Sequence, residues 1–494
     1  MRPTSLGHLR QAVDVGEIPR RSVKGELRDN LIGRLRDGGP LFSGIIGYDE
    51  SVVPQVANAI LSQHDFVLLG LRGQAKTRLI RGLADLLDEA IPVVPGCDIN
   101  DDPLAPICAA CRGRVESEGD DLPVAWLHRS MRYVEKLATP DVTIADMIGD
   151  IDPIKAARAG RRLSDELTVH YGLVPRANRC IFAINELPDL AGKIQVGLFN
   201  ILQEGDVQIR GYPVRLRLDV MMAFTANPED YTARGKIVTP LKDRIGSEIR
   251  THYPRARHEA VAITEQEAWV ARGGEVLVPP YVREVVEEIA FQARTNKRID
   301  GRSGVSQRMP ITCLENVVSN AERRALAADE TPAARVTDLY AALPAMTGKF
   351  ELEYEGELRG ADSVARELIR AAVGAVFGGW FDGIDTHQVV EWFEMGGTLQ
   401  ESDTTSSEAL LADVSQIHGL LELAAHADAG ADAPPQVAAA VDFVLEGLCA
   451  QRKISRSEGG GYEAVEKPRP AAPAAEPVFD HRQPPAHRGK KYYN

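Results

Sequence analysis

Three short stretches of the chain are apolar without interruption: Phe66 to Leu69, Cys180 to Ile184 and Val220 to Phe224. Runs of this length with no polar alternation are the pattern of strands covered on both faces, as in a parallel sheet between two helical layers. Elsewhere the apolar positions fall three and four apart, which predicts helices over Val52 to Gln63, Arg78 to Leu87, Lys193 to Glu204 and Ser363 to Phe381. Two stretches alternate instead. Residues 206–218 alternate on both sides of Gly211-Tyr212 and predict a β-hairpin, and Gly348 to Glu355 predicts an exposed strand. Glu135 to Asp152 reads as a strand and a helix carrying several carboxylates. Residues 1–40 are helical in pattern, with apolar positions too sparse for a core of their own. The period is lost over Ile91 to Asp121, which reads as irregular. Residues 401–455 are helical and rich in Ala and Asp, the pattern of solvated charged faces. From Ser457 onward Gly, Pro, Ala and Arg dominate and predict a disordered tail.

Each apolar run gives way to a polar and specific stretch. The first leads into Gly70-Leu71-Arg72-Gly73-Gln74-Ala75-Lys76-Thr77 and then a helix. Strand, glycine-bearing turn and helix is the context of a phosphate-binding loop. Its backbone N–H groups turn toward a phosphate, and the helix N-terminus adds partial positive charge. Lys76 is placed to reach the β- and γ-phosphates and the Thr77 hydroxyl to hold Mg²⁺. Gly70, Gly73, Gln74, Ala75, Lys76 and Thr77 are therefore the nucleotide-binding candidates. Ala75 occupies the place of the second glycine, where a positive φ costs energy.

The second run ends at Asn185-Glu186. Phosphoryl hydrolysis uses one acidic group to orient the Mg²⁺ shell and another to polarise the attacking water. Here Asn185 holds the metal-side position, where its carbonyl oxygen can accept from a metal-bound water, and Glu186 the water-activating one. The third run ends at Thr225-Ala226-Asn227-Pro228, where an amide can bond the γ-phosphate or the water. Arg244, in Leu241-Lys242-Asp243-Arg244-Ile245, is an arginine able to reach a neighbouring subunit's nucleotide, with Arg250 the next candidate. Upstream, Ile46 and Tyr48 lie in an apolar turn placed to pack on an adenine base. The same turn reads equally well as the start of the Val52 helix, capped by Asp49 or Ser51.

At 494 residues the chain has length for about three domains. A net charge of −14 argues against broad nucleic-acid binding, which needs a basic face. No apolar run reaches the length of a membrane span, and the first 21 residues lack the apolar centre of a signal peptide, so the expected location is the cytoplasm. Six cysteines in so long a chain are not a disulfide framework. Cys108-Ala-Ala-Cys111 stands at metal-ligand spacing, with Cys97 a third thiol and His128 a candidate fourth ligand. One such pair without a second is common, and ordinary reduced cysteines in a surface loop are favoured over zinc at Cys97, Cys108 and Cys111.

These motifs together resemble those of the AAA+ ATPases, in the clade of MoxR proteins and the ATPase (I) subunit of magnesium chelatase, over residues 40–345. The resemblance makes Gly70 to Thr77 the Walker A stretch, Asn185-Glu186 the end of Walker B, Asn227 sensor 1 and Arg244 the finger. It makes Arg308 in Val305-Ser306-Gln307-Arg308 sensor 2, with Arg302 the runner-up. The hairpin 206–218 corresponds to the pre-sensor 1 insertion and 139–175 to the helix 2 insert. The implied fold is α/β: a P-loop AAA+ domain of three αβα layers with a parallel sheet, then a small helical lid and a mostly helical C-terminal extension. The divisions are a helical segment over 1–40, the nucleotide-binding domain over 41–255, the lid over 256–345, the extension over 346–456, which could pack on the lid or bind a partner, and the tail over 457–494. The resemblance implies ATP and Mg²⁺ as ligands and a homo-oligomeric ring, a hexamer. The ring would remodel a partner protein carrying a von Willebrand factor A domain, as a MoxR-like chaperone, or drive metal insertion as a chelatase subunit does. This chain shows neither the side-chain cluster of such a domain nor a large catalytic subunit, so the chaperone reading is preferred. Asn185 makes a non-hydrolysing nucleotide switch the alternative. A transcriptional activator is the third reading, but no helix-turn-helix stands out and residues 135–175 lack a Gly-Ala-Phe-Thr-Gly-Ala loop.

Overall fold

A computed structural model describes residues 2–163, 165–209, 214–228, 236–274, 276–402, 404–457 and 460–465. Its centre is a five-stranded sheet of β1 (Phe66–Leu69), β2 (Tyr133–Leu137), β3 (Cys180–Asn185), β4 (Val220–Ala226) and β5 (Ser247–Arg250). The spatial order is β5-β1-β4-β3-β2 and every neighbouring pair is parallel. The three apolar runs are β1, β3 and β4, the inner strands, and side-chain alternation divides them between two cores. Val67, Leu69, Phe182 and Ile184 join one cluster, while Phe66, Leu68, Ile181 and Ala183 join the other. The first 40 residues serve both: Leu6 enters the first core, and Val23, Leu27 and Leu31 of helix Val23–Asp37 the second. That helix is also fixed by a buried fork in which both Arg132 terminal nitrogens donate to Glu26 at 2.7 Å. Glu26 further accepts the Asp88 N–H at 2.6 Å, so the buried charge is paired and hydrogen-bonded.

Several elements differ from the sequence reading. Gly348 to Glu355 is not a strand. It makes one bridge, Ile299 to Leu352, and turns into helix Tyr354–Arg359. The alternation there gives a largely charged face, and among the described residues no strand pairs with it. The stretch read as irregular holds strand Ala90–Val93, antiparallel to Ala125–His128, and helix Ala109–Glu118. The helix expected over 193–204 breaks at Leu198 into Gly192–Gly197 and Phe199–Glu204. The hairpin is present as Asp206–Gln208 paired with Arg215–Arg217; its tip, including Gly211-Tyr212, lies outside the described residues. Within the expected tail, Tyr462–Ala464 pairs with Ile454–Arg456, because the Tyr462 ring is buried and its hydroxyl donates to Glu446 at 2.9 Å. The remainder of the tail, 466–494, lies outside the described residues.

Helices Arg257–Glu267, Pro280–Thr295 and Arg308–Ala328 come after the sheet. A single core then runs from Val278 to Tyr462, including Ala361–Trp380 and Pro434–Ala450. Tyr281 and Phe443 stack in it at 4.3 Å. The Ala/Asp-rich stretch is therefore packed rather than solvated on all its charged positions: Glu401, Asp442 and Glu446 are buried. Among the described residues no helix is long and apolar enough to cross a membrane.

Candidate nucleotide-binding site

β1 sits between β4 and β5, so the loop leaving it at Gly70 is flanked by the ends of both strands. Helix Lys76–Gly82 comes next. Gly73 has φ +76° and Ala75 +52°. The left-handed conformation expected at Ala75 is thus adopted, at a cost to an alanine of roughly 1 kcal/mol. Neighbours enforce the loop's path. A Cβ at Gly70 would collide with the Thr251 and Gln74 side chains, and one at Gly73 with Ser306 from the helical region beyond the sheet. Gln74 turns inward and accepts the Thr251 hydroxyl at 2.7 Å. The Tyr48 hydroxyl stands 2.9 Å from the Gln74 carbonyl oxygen and 2.7 Å from that of His252. Burial pushes this phenol up to about 12. Tyr48 braces the loop from behind. Ser51 makes no capping bond to helix Val52–Leu61, its hydroxyl meeting His252 Nε2 at 2.8 Å instead.

A cavity of ≈ 620 Å³ opens over the loop. Gly73, Gln74, Ala75, Lys76, Thr77 and Glu186 line its polar side, and Ile46, Tyr48, Ile263 and Ile311 its apolar side. Arg308, the first residue of helix Arg308–Ala328, also faces it, whereas Arg302 pairs with Asp300 at 3.2 Å and does not line it. Two ties close the cavity's flanks: Arg78 pairs with Glu267, and Gln266 Nε2 donates to the Gly44 carbonyl at 3.0 Å.

The strand ends form one hydrogen-bonded unit. Buried Lys76 donates to the carbonyls of Gly70 and Leu71 (3.0 Å to the latter) and to Asn227 Oδ1 at 2.7 Å. Asn227 in turn donates through Nδ2 to Glu186 Oε2 at 2.8 Å. Glu186 has φ +55°, a strained conformation for this residue, and its N–H is held by the Thr225 hydroxyl at 3.0 Å. Asn185 Oδ1 accepts from Thr225 at 3.1 Å and from Thr77 at 3.3 Å. Its Nδ2 donates to Glu135 Oε1 at 2.5 Å.

Glu135 is a residue the sequence reading did not single out. It lies on β2, which pairs with β3, and its other oxygen accepts from Arg81 at 2.8 Å. An Asp at position 185 would set two carboxylates in contact, and like charges that close cannot both ionise easily. An amide at 185 beside a carboxylate at 135 leaves one carboxylate in the contact, and that carboxylate is itself paired with Arg81. Within the sequence this was one carboxylate among several in Glu135 to Asp152; only the β2–β3 register shows which of them reaches Asn185.

Arg244 ends helix Thr239–Arg244 on the surface, its guanidinium 4.9 Å from the Phe199 ring and bonded to Gln203 at 2.9 Å. Arg250 is exposed on β5. Neither lines the cavity. Away from it, Cys97, Cys108 and Cys111 gather with Asp101. Two points differ from the sequence reading there. Cys108 and Cys111 are buried, not in a surface loop, and His128 is exposed and bonded to Ser130 rather than near the thiols.

No family model matches the chain. It is 29% identical over 229 residues to the magnesium-chelatase subunit ChlI of Nostoc sp., covering 46% of this chain and 58% of that protein. It is 29% identical over 214 residues to the ChlI homolog of Methanocaldococcus jannaschii, covering 42% of this chain and 53% of that protein. The chain thus matches about half the length of these curated relatives. A cryo-EM-based structure of the complex between subunits BchI and BchD of magnesium chelatase aligns at 20% identity with a TM-score of 0.35, over 64% of this chain and 98% of that one, a likeness too low to carry weight. Parallel strand order, phosphate-loop motif and these partial sequence relatives agree: the chain is similar to the AAA+ ATPases, in the clade of MoxR and the magnesium-chelatase I subunit.

Proposed function

We propose that the protein hydrolyses ATP within a ring of its own copies, a hexamer, and uses the cycle to remodel a partner protein. The observation that carries this reading is the convergence of Lys76, Thr77, Glu186 and Arg308 on one cavity, with Asn227 bonded to both Lys76 and Glu186. Each residue has a task its position suits. The loop N–H groups and Lys76 receive the phosphates, Lys76 exchanging its carbonyl partners for them. Ile46, Ile263 and Ile311 offer the apolar wall for the base. Mg²⁺, when bound, would neutralise charge across the phosphates, and Thr77 with Asn185, bonded to it at 3.3 Å, would hold the ion. Glu135 contributes the negative charge that Asn185 lacks. Glu186, aimed by its left-handed backbone, takes the proton of the attacking water, which Asn227 orients. Arg308 enters from the helical side. Arg244, outside its own cavity, serves a neighbour's nucleotide.

The partner we propose carries a von Willebrand factor A domain, and the role is that of a MoxR-like chaperone; metal insertion is named for relatives of which this chain matches about half. With six unpaired cysteines, the reducing cytoplasm is the proposed compartment. The second reading is a nucleotide switch that binds without hydrolysing, favoured by Asn185. The two separate in one experiment on the full chain: steady-state hydrolysis together with retention of labelled ATP, for wild type and Glu186→Gln. A hydrolase turns over as wild type, and its Glu186→Gln form holds ATP while turnover falls by about 10²–10⁴-fold. Wild type that binds ATP and shows no turnover is a switch. A Glu186→Gln form as active as wild type removes Glu186 from the chemistry.

A further inference from the structure

We propose that Cys97, Cys108 and Cys111, with Asp101, bind a structural zinc ion that fixes the segment between strands Ala90–Val93 and Ala125–His128. The cluster is independent of the nucleotide site. The three sulfurs and one Asp101 carboxylate oxygen all lie within 4.8 Å of one another. A tetrahedral zinc with Zn–S bonds of about 2.3 Å sets its ligand atoms about 3.8 Å apart, so closing on an ion takes a movement of about 1 Å or less.

The backbone already treats these sulfurs as acceptors. The Ile99 N–H points to the Cys97 sulfur at 3.4 Å, and the Cys111 N–H to the Cys108 sulfur at 3.3 Å. Cys108 is also the N-cap of helix Ala109–Glu118, which puts the second thiol of the pair in the first turn. Asp101 is fixed by accepting the N–H groups of Ile107 at 2.8 Å and Cys108 at 2.9 Å. Three soft thiolates select zinc over the hard cations that carboxylates and carbonyls would hold.

The segment needs such a tie. Between Val94 and Cys108 the buried apolar residues are Ile99 and Pro103, with Cys97, Leu104 and Ile107 only partly buried at the core's edge. It nonetheless carries contacts to the start of β3. Asn100 Nδ2 donates to the Arg176 carbonyl at 2.9 Å, and the Ile99 carbonyl accepts from Asn178 at 3.1 Å. β3 is the strand that ends at Asn185. A zinc ion joining Cys97 to the first turn of Ala109–Glu118 would hold the Cys97–Cys111 stretch, and with it this edge of β3, where hydrophobic burial alone is thin.

The test uses the full chain purified without a metal-affinity step. Elemental analysis should give one zinc per chain. Titration with a mercurial should release it, and chelation under denaturant-free conditions should add three to the thiols reactive toward an aromatic disulfide reagent. Cobalt substitution should give thiolate-to-metal charge-transfer bands. Cys97→Ser and Cys108→Ser should each lose most of the zinc, with a lowered melting temperature. Reduced wild-type protein supplied with zinc that retains well under one equivalent would overturn the proposal, and so would full occupancy in both serine variants. A Cys108–Cys111 disulfide in protein prepared under reducing conditions would overturn it as well. Because metal content and thiol protection are read on wild type, a variant that fails to fold does not leave the question open.

Discussion

Two regions of this molecule gather polar groups, and they do so in opposite ways. At the candidate nucleotide site Glu186, Asn227 and Asn185 stand at strand ends and Lys76 opens the helix after β1, beside an open cavity, and their bonds to one another can be exchanged for bonds to a ligand. In the helical half, Arg335, Glu401, Asp442 and Glu446 are sealed between helices. Arg335 donates to the Thr405 carbonyl at 2.9 Å and to the Ser407 hydroxyl at 3.1 Å, and lies 3.5 Å from Glu401. Glu446 accepts from Tyr340 at 3.0 Å and Tyr462 at 2.9 Å, and pairs with Arg456 at 2.5 Å. Buried charge of this kind stabilises little by itself, but losing a partner is costly, so it fixes how elements distant in sequence are assembled. The strand-end arrangement is built to be interrupted; the helical one is built not to be.

Substitutions at the strand ends should therefore change chemistry while leaving the fold intact. The largest effect is expected at Lys76, the buried cation of the loop, which lines the cavity. Lys76→Ala should abolish ATP binding in a calorimetric or fluorescent-nucleotide titration, with little change in melting temperature. Unchanged affinity would remove the phosphate-loop assignment. Next is Arg244→Ala, which should bind ATP normally and lose roughly 10³–10⁵-fold in turnover, the worth of an arginine finger. Because the finger acts across an interface, mixing it with Glu186→Gln should restore part of the activity. If Arg244→Ala alone hydrolyses normally, Arg250 becomes the candidate.

A smaller effect sharpens the account of Asn185. If Glu135 carries the charge for that position, Glu135→Gln should raise the Mg²⁺ concentration needed for half-maximal turnover by roughly 10–100-fold, the usual cost of losing a supporting group at a metal. Asn185→Asp alone should gain little, since it sets a second carboxylate against Glu135. The double variant Glu135→Gln/Asn185→Asp should recover much of the loss. A Mg²⁺ dependence unmoved by Glu135→Gln would mean that the charge comes from elsewhere.

The contrast also explains what the sequence made legible. A loop that turns toward phosphate needs its residues contiguous, so Gly70 to Thr77 could be read directly, as could the polar ends of β3 and β4. Glu135 could not, because its meeting with Asn185 depends on which strand lies beside β3. The same holds for Arg335, Glu401 and Asp442, which approach from three separate parts of the chain. Tyr462 was lost in a stretch of disorder-prone composition, where one buried aromatic and its bond to Glu446 outweigh the residues around it. At Gly348 to Glu355 alternation was present but, among the described residues, a strand to pair with was not. The cysteines were legible as a pair, while the fourth member, Asp101 rather than His128, is set by the fold of the loop.

The smallest predicted effect lies in the sealed cluster and has a definite sign with pH. Burial, and then the neighbouring Glu446, raise the Asp442 carboxyl from 3.8 to about 6, while Arg335 and the Thr337 N–H, 3.1 Å away, act the other way. The folded state therefore holds this proton more tightly than the unfolded chain. The stability that comes from the protonated form is fully present below about pH 4 and is lost as the pH rises through about 6. At pH 7.5 the ionised group costs the fold on the order of 1–3 kcal/mol. Asp442→Asn keeps an acceptor for the Thr337 N–H and removes the charge. It should melt higher than wild type at pH 7.5, by roughly 2–4 °C per kcal/mol recovered, with the difference shrinking toward zero at pH 4.5. A gap for Asp442→Asn that is the same at both pH values would mean that the carboxylate is not isolated from solvent. A variant less stable at pH 7.5 would mean that Arg335 depends on the Asp442 charge, which would make the cluster a mutually required ion network rather than a tolerated one.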